Sequence, residues 1–219
     1  MTQQPPTSSH DVLEQVPPDY YEVGIQKNRF QRMWHGRKWS MLRELLTKDR
    51  SFQPSEVLDV GCAGGLTTSH VAGWFPSARV TGLDAFDEAV AYASKRHQNV
   101  NFVLGDAHVL PLAGERFDLI TCVETLEHLG DPRRAVTEML RCLRPGGIAI
   151  VAQDTDSLLF RSVWWAWTKS RGQVWDHAHV NPLDAKQLKA LLQEVGFRLL
   201  ETRYTFFGME VFYKVQRAG

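Results

Sequence analysis

The sequence predicts an α/β fold in which a doubly wound, mostly parallel seven-stranded sheet carries an antiparallel pair at its C-terminal edge. Three observations predict it. Short apolar runs of β character alternate with segments of helical periodicity, the pattern of successive βαβ units. The first of these runs opens into a glycine-rich turn, as the leading strand-to-helix connection of an open parallel sheet does. Two late runs, RLLETRYT and MEVFYKVQ, are separated only by Phe206, Phe207 and Gly208, which suits two adjacent antiparallel strands.

Taken in order, residues 1–25 are expected to form a flexible tail. The opening MTQQPPTSSHDVLEQVPPD is polar and proline-rich and lacks the apolar core of a signal peptide. Residues 26–50 are expected to be helical, with Lys27, Arg29, Arg32, Arg37, Lys38 and Arg43 interleaved with Phe30, Trp34 and Trp39. Residues 51–219 form the main domain. Its strands are read at 56–60, 79–83, 101–104, 117–122 and 147–152, where Val, Ile, Leu and Phe cluster between turn residues. Helices lie between them, marked by apolar spacing at Ala89, Val90 and Ala93 and again at Ala135, Val136, Met139 and Leu140. Pro145 with Gly146 and Gly147 ends the second of these and turns the chain into the fifth strand. After Asp184, AKQLKALLQEVGF reads as the last helix before the antiparallel pair.

Composition narrows the function. With 219 residues and 43% hydrophobic positions, the chain can bury one well-formed core. Lys and Arg number 25, as do Asp and Glu, so the basic excess that marks a nucleic-acid binder is missing and a nucleic-acid partner is not expected. Cys62, Cys122 and Cys142 are an odd set without C-x-x-C spacing, which argues against a disulfide framework or a zinc knuckle and suits a reducing cytoplasm. No stretch has the length of a membrane span, although basic residues among aromatics at 26–50 and 157–179 suit a peripheral contact with a membrane surface.

Three loops at the strand ends carry the chemistry. VLDVGCAGG, residues 57–65, lets backbone amides approach a ligand closely before a helix N-terminus. Asp84 closes TGLD, 23 positions after Gly61, where a carboxylate accepts both hydroxyls of a ribose. GDA, residues 105–107, places a second acid at the end of the third strand, facing the same crevice. Further on, CVETLEHLGDP carries Glu124, Glu127 and His128 at i, i+3 and i+4. On a helix these share one face, open to holding a metal, moving a proton or facing water.

VLDVGCAGG, TGLD, GDA, FDLITCVETLEHLGDP and LRPGG, in this order and spacing, resemble the class I S-adenosylmethionine-dependent methyltransferases of small-molecule type, whose sheet is Rossmann-like. The resemblance covers about residues 55–153. It implies that Asp59, Gly61 and Gly65 hold the methionine end of S-adenosylmethionine, with Ala63 and Ala85 beside the cofactor, Asp84 on the ribose and Asp106 and Ala107 on the adenine. Val123 would pass its backbone near the sulfonium, and Arg37 would reach the cofactor carboxylate. One departure is Ala63, where the family pattern usually has a glycine.

The E-x-x-E-H element resembles that of the ubiquinone-biosynthesis O-methyltransferases, where it faces the methyl-acceptor pocket. That resemblance implies either a divalent cation such as Mg held by Glu124, Glu127 and His128, or His128 with Glu127 as catalytic base. Small-RNA 2′-O-methyltransferases complete a similar site with a distant histidine, a place His177 or His179 would take here. Residues 157–179 stand where this superfamily inserts a lid, and Trp164, Trp165 and Trp167, with His177 and His179, are the expected acceptor contacts. The expected reaction is methyl transfer to a small hydrophobic acceptor, such as a phenol, quinone or lipid-like molecule, at oxygen, leaving S-adenosylhomocysteine. A binding protein without turnover and an RNA 2′-O-methyltransferase are the alternatives.

Overall fold

The computed structural model describes residues 15–169, 181 and 183–219. Its sheet is built from β1 (Glu56–Val60), β2 (Arg79–Asp84), β3 (Asn101–Leu104), β4 (Phe117–Val123), β5 (Leu143–Asp154), β6 (Phe197–Thr205) and β7 (Glu210–Arg217). These lie in the order β3-β2-β1-β4-β5-β7-β6. The first five pair in parallel, while β7 inserts between β5 and β6 antiparallel to both. The architecture is therefore the α/β sheet that the sequence predicts, with β7 reversed. The turn expected at Pro145–Gly147 lies inside β5, as an irregularity in its pairing with β4.

Alternating side chains divide the core into two layers, one on each face of the sheet. On one face Leu58, Ile120, Ala149 and Val151 meet α5 (Pro132–Cys142) and α7 (Ala185–Val195) through Val136, Met139, Leu188 and Leu192. On the other, Val57, Leu119, Ile150 and Phe212 meet α2 (Arg29–Thr47) and α3 (Leu66–Trp74). Leu42, Leu45 and Leu46 of α2 are wholly or almost wholly buried there, each stabilising the contact by about 1.5–3 kcal/mol. Lys38 stands one turn before Leu42, so the same helical periodicity carries it onto the buried face. It is 2% exposed, unlike the exposed Arg37 and Arg43 on the same helix.

Helix α1 (Tyr20–Lys27) begins inside the stretch read as a flexible tail and joins α2 at Asn28, whose side chain accepts from the amides of Phe30 and Gln31. Helix α4 (Asp87–Arg96) links β2 to β3, and α6 (Leu158–Thr168) follows β5 with Ser157 as its cap. Asp184 and Gln187 form a reciprocal capping box at the start of α7. Among the described residues no helix is long and apolar enough to cross a membrane.

Candidate active site

The chain leaves β1, builds β2 and β3 on one side, then crosses back to β4 and β5 on the other. The connections that leave the carboxyl ends of the paired strands β1 and β4 thus run to opposite sides and open a crevice. A chamber of about 260 Å³ occupies it. Its floor is the β1 loop, where Gly61, Ala63 and Gly65 all have positive φ (76°, 46° and 82°). At Gly61 a Cβ would lie 2.2 Å from the Thr125 hydroxyl, so only glycine fits under this turn. Ala63 adopts the left-handed conformation with its methyl group in place, and it is there that the sequence departs from the family pattern.

Acids at the strand ends frame the chamber. Asp84 accepts from the amides of Ala63 (2.8 Å) and Phe86 (3.1 Å), which ties the β1 loop to the β2 loop. Burial pushes its carboxyl up, against these amides. Asp59 is buried beneath, its two oxygens taken by the hydroxyls of Thr68 and Thr121, each at 2.6 Å. Burial raises it to about 6. Asp106 lines the far wall with Ala107 and is held 2.7 Å from the His108 ring. Ala85 and Val123 also line the chamber, whereas Gly65, expected with them from the sequence, does not. Arg37 does not line the chamber and is exposed; Lys38, one position on, lines it instead. Gly64 runs so close to the N-terminal segment that a Cβ there would lie 2.3 Å from the Pro18 carbonyl, which places residues 16–18 as a strap across the chamber.

A second chamber of about 110 Å³ adjoins the first. Phe30 and Trp34 of α2 and Phe160, Val163, Trp164 and Trp167 of α6 wall it. Trp165 turns outward, 66% exposed, and does not line it. Trp34 is fixed by stacking on Phe206 at 3.9 Å. The aromatic residues from α2 escaped the sequence reading as acceptor contacts; their i, i+4 spacing at positions 30 and 34 is the signal that joins them. His177 and His179 lie outside the described residues.

Between the chambers lies a cluster of four carboxyl groups around one ammonium. Glu124 does not stand on a helix. It follows β4 with φ 53°, and only Leu126–His128 form a single 3-10 turn, yet Glu124, Glu127 and His128 all still reach the second chamber. Lys38 ion-pairs with Glu124 and lies 3.7 Å from Glu210, which also accepts from Thr205 at 2.7 Å. Asp154 and Glu210 face each other across the β5–β7 register, a like-charge pairing that Lys38 relieves. Burial alone would raise Glu124, but Lys38 outweighs it and holds the carboxyl below its ordinary value. Glu127 has no such partner: burial, then the Glu124 charge, raises it to about 8. Burial also pushes Asp154 well up and Glu210 to about 7. His35, one turn before Lys38 and missed from the sequence, is lowered to about 3 by burial and then by the Lys38 charge, so its ring is neutral.

These residues do not fit the divalent cation that the resemblance implied. The Lys38 ammonium already occupies Glu124, and among the described residues no group of three or more His, Cys, Asp or Glu is arranged to hold a metal ion. They do fit S-adenosylmethionine, through the Gly61 cradle and the buried Asp84 carboxyl at the mouth of the β2 loop.

Comparison with known proteins agrees. Residues 28–202 match the methyltransferase domain family model. The ubiquinone biosynthesis O-methyltransferase of Coxiella burnetii is 40% identical over 95 residues, 42% of this chain and 40% of that protein. A probable S-adenosylmethionine-dependent methyltransferase of Mycolicibacterium smegmatis is 30% identical over 153 residues, covering 70% of this chain and 56% of that one. The chain thus spans only about half of the length of these relatives or less. In fold it is similar to the N-methyltransferase NodS of Bradyrhizobium japonicum in complex with S-adenosylhomocysteine, with a TM-score of 0.72, 22% identity and coverage of 97% and 100% of the two chains. With a strand order, a glycine cradle and a family match that agree, the chain belongs to the methyltransferase domain family, among the class I S-adenosylmethionine-dependent methyltransferases.

Proposed function

We propose that the protein transfers a methyl group from S-adenosylmethionine to an oxygen atom of a small hydrophobic acceptor held in the aromatic chamber. The observation that carries this reading is the junction: Tyr21, His35, Glu124 and His128 line both chambers, so an acceptor atom at this point faces the cofactor side. When bound, S-adenosylmethionine supplies an electrophilic methyl group. The new O–C bond forms as the C–S bond breaks, its electron pair passes to sulfur, and the hydroxyl proton must leave. His128 at the junction takes that proton, and the neighbouring Glu124, held ionised chiefly by Lys38, balances the charge the ring gains. The Phe30, Trp34, Trp164 and Trp167 walls exclude water and align the ring of a phenolic or similar acceptor. The partial likeness to an O-methyltransferase supports oxygen as the acceptor atom. Delivery from a lipid surface belongs to the same reading, since Leu158, Trp165 and Phe207 are 81%, 66% and 97% exposed.

Transfer of labelled methyl into an organic extract of phenols and quinones, with and without chelator, tests this. Label should enter the organic phase and persist with chelator, because Lys38 already neutralises Glu124. His128→Ala should leave cofactor affinity intact and cut turnover by about 10²–10⁴. Absence of label, or full activity in His128→Ala, refutes the assignment.

A further inference from the structure

Two carboxyl groups that line the second chamber have more acceptor capacity than the protein satisfies. Glu127 is 2% exposed and neither of its oxygens has a hydrogen-bond partner among the described residues; Asp154 is 8% exposed and its Oδ1 is likewise unpaired. Both line the chamber. The Lys38 ammonium beside them is committed to Glu124 and Glu210. Buried polar groups in folded proteins are almost always paired, so oxygens left without partners and facing a chamber point to a donor that arrives with a ligand. A lone phenol hydroxyl brings one donor, too few for three unpaired oxygens. A protonated amine brings up to three and a positive charge, and that charge ionises the two carboxyl groups against the burial that raises them.

The remaining walls select the kind of cation. Trp34, Trp164, Trp167 and Phe160 surround the same space, and aromatic faces attract an organic ammonium while offering nothing to a hydrated metal ion, which needs oxygen ligands. We propose that the acceptor carries, besides its reacting hydroxyl, a cationic nitrogen seated against Glu127 and Asp154 within these aromatic walls. This rests on the acceptor-chamber assignment above and narrows it from hydrophobic acceptors to amine-bearing ones. The hydroxyl meets the junction at His128, which lines both chambers, while the nitrogen sits against Glu127 and Asp154, which line only the second.

Binding, not turnover, tests this. The full chain saturated with S-adenosylhomocysteine is titrated calorimetrically with tyramine and with 4-ethylphenol, which has the same ring and hydroxyl but no nitrogen. Tyramine should bind at least tenfold more tightly, and Asp154→Asn, which keeps the shape of the side chain, should erase the gap while 4-ethylphenol binds as before. Thermal melts of the variant verify that it is folded. Equal binding of the two probes, no binding of tyramine, or a gap that survives both Asp154→Asn and Glu127→Gln overturns the proposal. A third probe, 2-phenylethylamine, separates it from the oxygen assignment. Bound and unmethylated, it supports both. Bound and methylated at nitrogen, it supports the cation site and refutes oxygen as the acceptor atom.

Discussion

Replacing Glu127 by glutamine exchanges a buried carboxyl for a neutral group of the same shape, and the structure dictates how stability should respond. Burial and the neighbouring Glu124 charge raise Glu127 from 4.5 to about 8 in the folded chain. Its folded value therefore lies above its unfolded value, so the folded chain holds this proton more tightly. Stability is unaffected below pH 4.5 and is lost as pH rises through the window from 4.5 to 8. The full loss is about 5 kcal/mol, of which roughly 3 kcal/mol is expressed at pH 7. Glutamine does not titrate, so the variant escapes this penalty, although its amide also lacks partners and gives back about 1–3 kcal/mol. Urea denaturation of the two proteins at pH 5 and pH 8 should show a difference that moves in favour of the variant by several kcal/mol as pH rises, while methyl transfer falls. A difference in stability that is the same at both pH values refutes the account of Glu127 as an unpaired, proton-holding carboxyl.

Three further outcomes follow from named contacts. Lys38→Met strands the buried Glu124 carboxylate and should cost about 3–5 kcal/mol at pH 7 in chemical denaturation. Because Lys38 lowers the folded value of Glu124, this cost should fade as pH drops below about 4.5. Asp84→Ala should weaken S-adenosylmethionine binding at least ~100-fold by calorimetry, since the tether to Ala63 is lost together with the carboxyl that the resemblance assigns to the ribose. Ala63→Gly relieves a side chain held at φ 46° and should raise the melting temperature by about 2–4 °C, corresponding to about 1 kcal/mol; a lower melting temperature would show that the methyl group packs usefully.

What could be read in the sequence was what short-range pattern controls. Gly61, Asp84, Asp106 and Val123 sit at the ends of β strands, and in a parallel sheet strand ends converge, so their meeting in one chamber follows from order along the chain. The partners of Glu124 could not be read in this way. Asp154 and Glu210 face each other only because β7 reverses between β5 and β6, and Lys38 reaches them only because α2 lies across that face of the sheet. Its burial did have a signal in the spacing of Lys38, Leu42, Leu45 and Leu46, which the neighbouring arginines masked. Trp164 and Trp165 show the same limit: adjacent in sequence and alike in chemistry, they are separated by helix phase into a wall and an exposed surface.

The narrow waist between the two chambers also bears on how this protein can change. Among the described residues only Tyr21, His35, Glu124 and His128 belong to both, while the side walls of the second are supplied by α6 and by Phe30 and Trp34 of α2, none of which lines the first. Substitutions at Phe30, Trp34, Phe160, Val163, Trp164 or Trp167 can therefore reshape what is recognised without disturbing how the methyl donor is held. For an engineer this makes the second chamber a separable cartridge: a library confined to those six positions explores new acceptors on a constant donor site, and any variant that loses donor affinity reveals a coupling that the waist does not transmit.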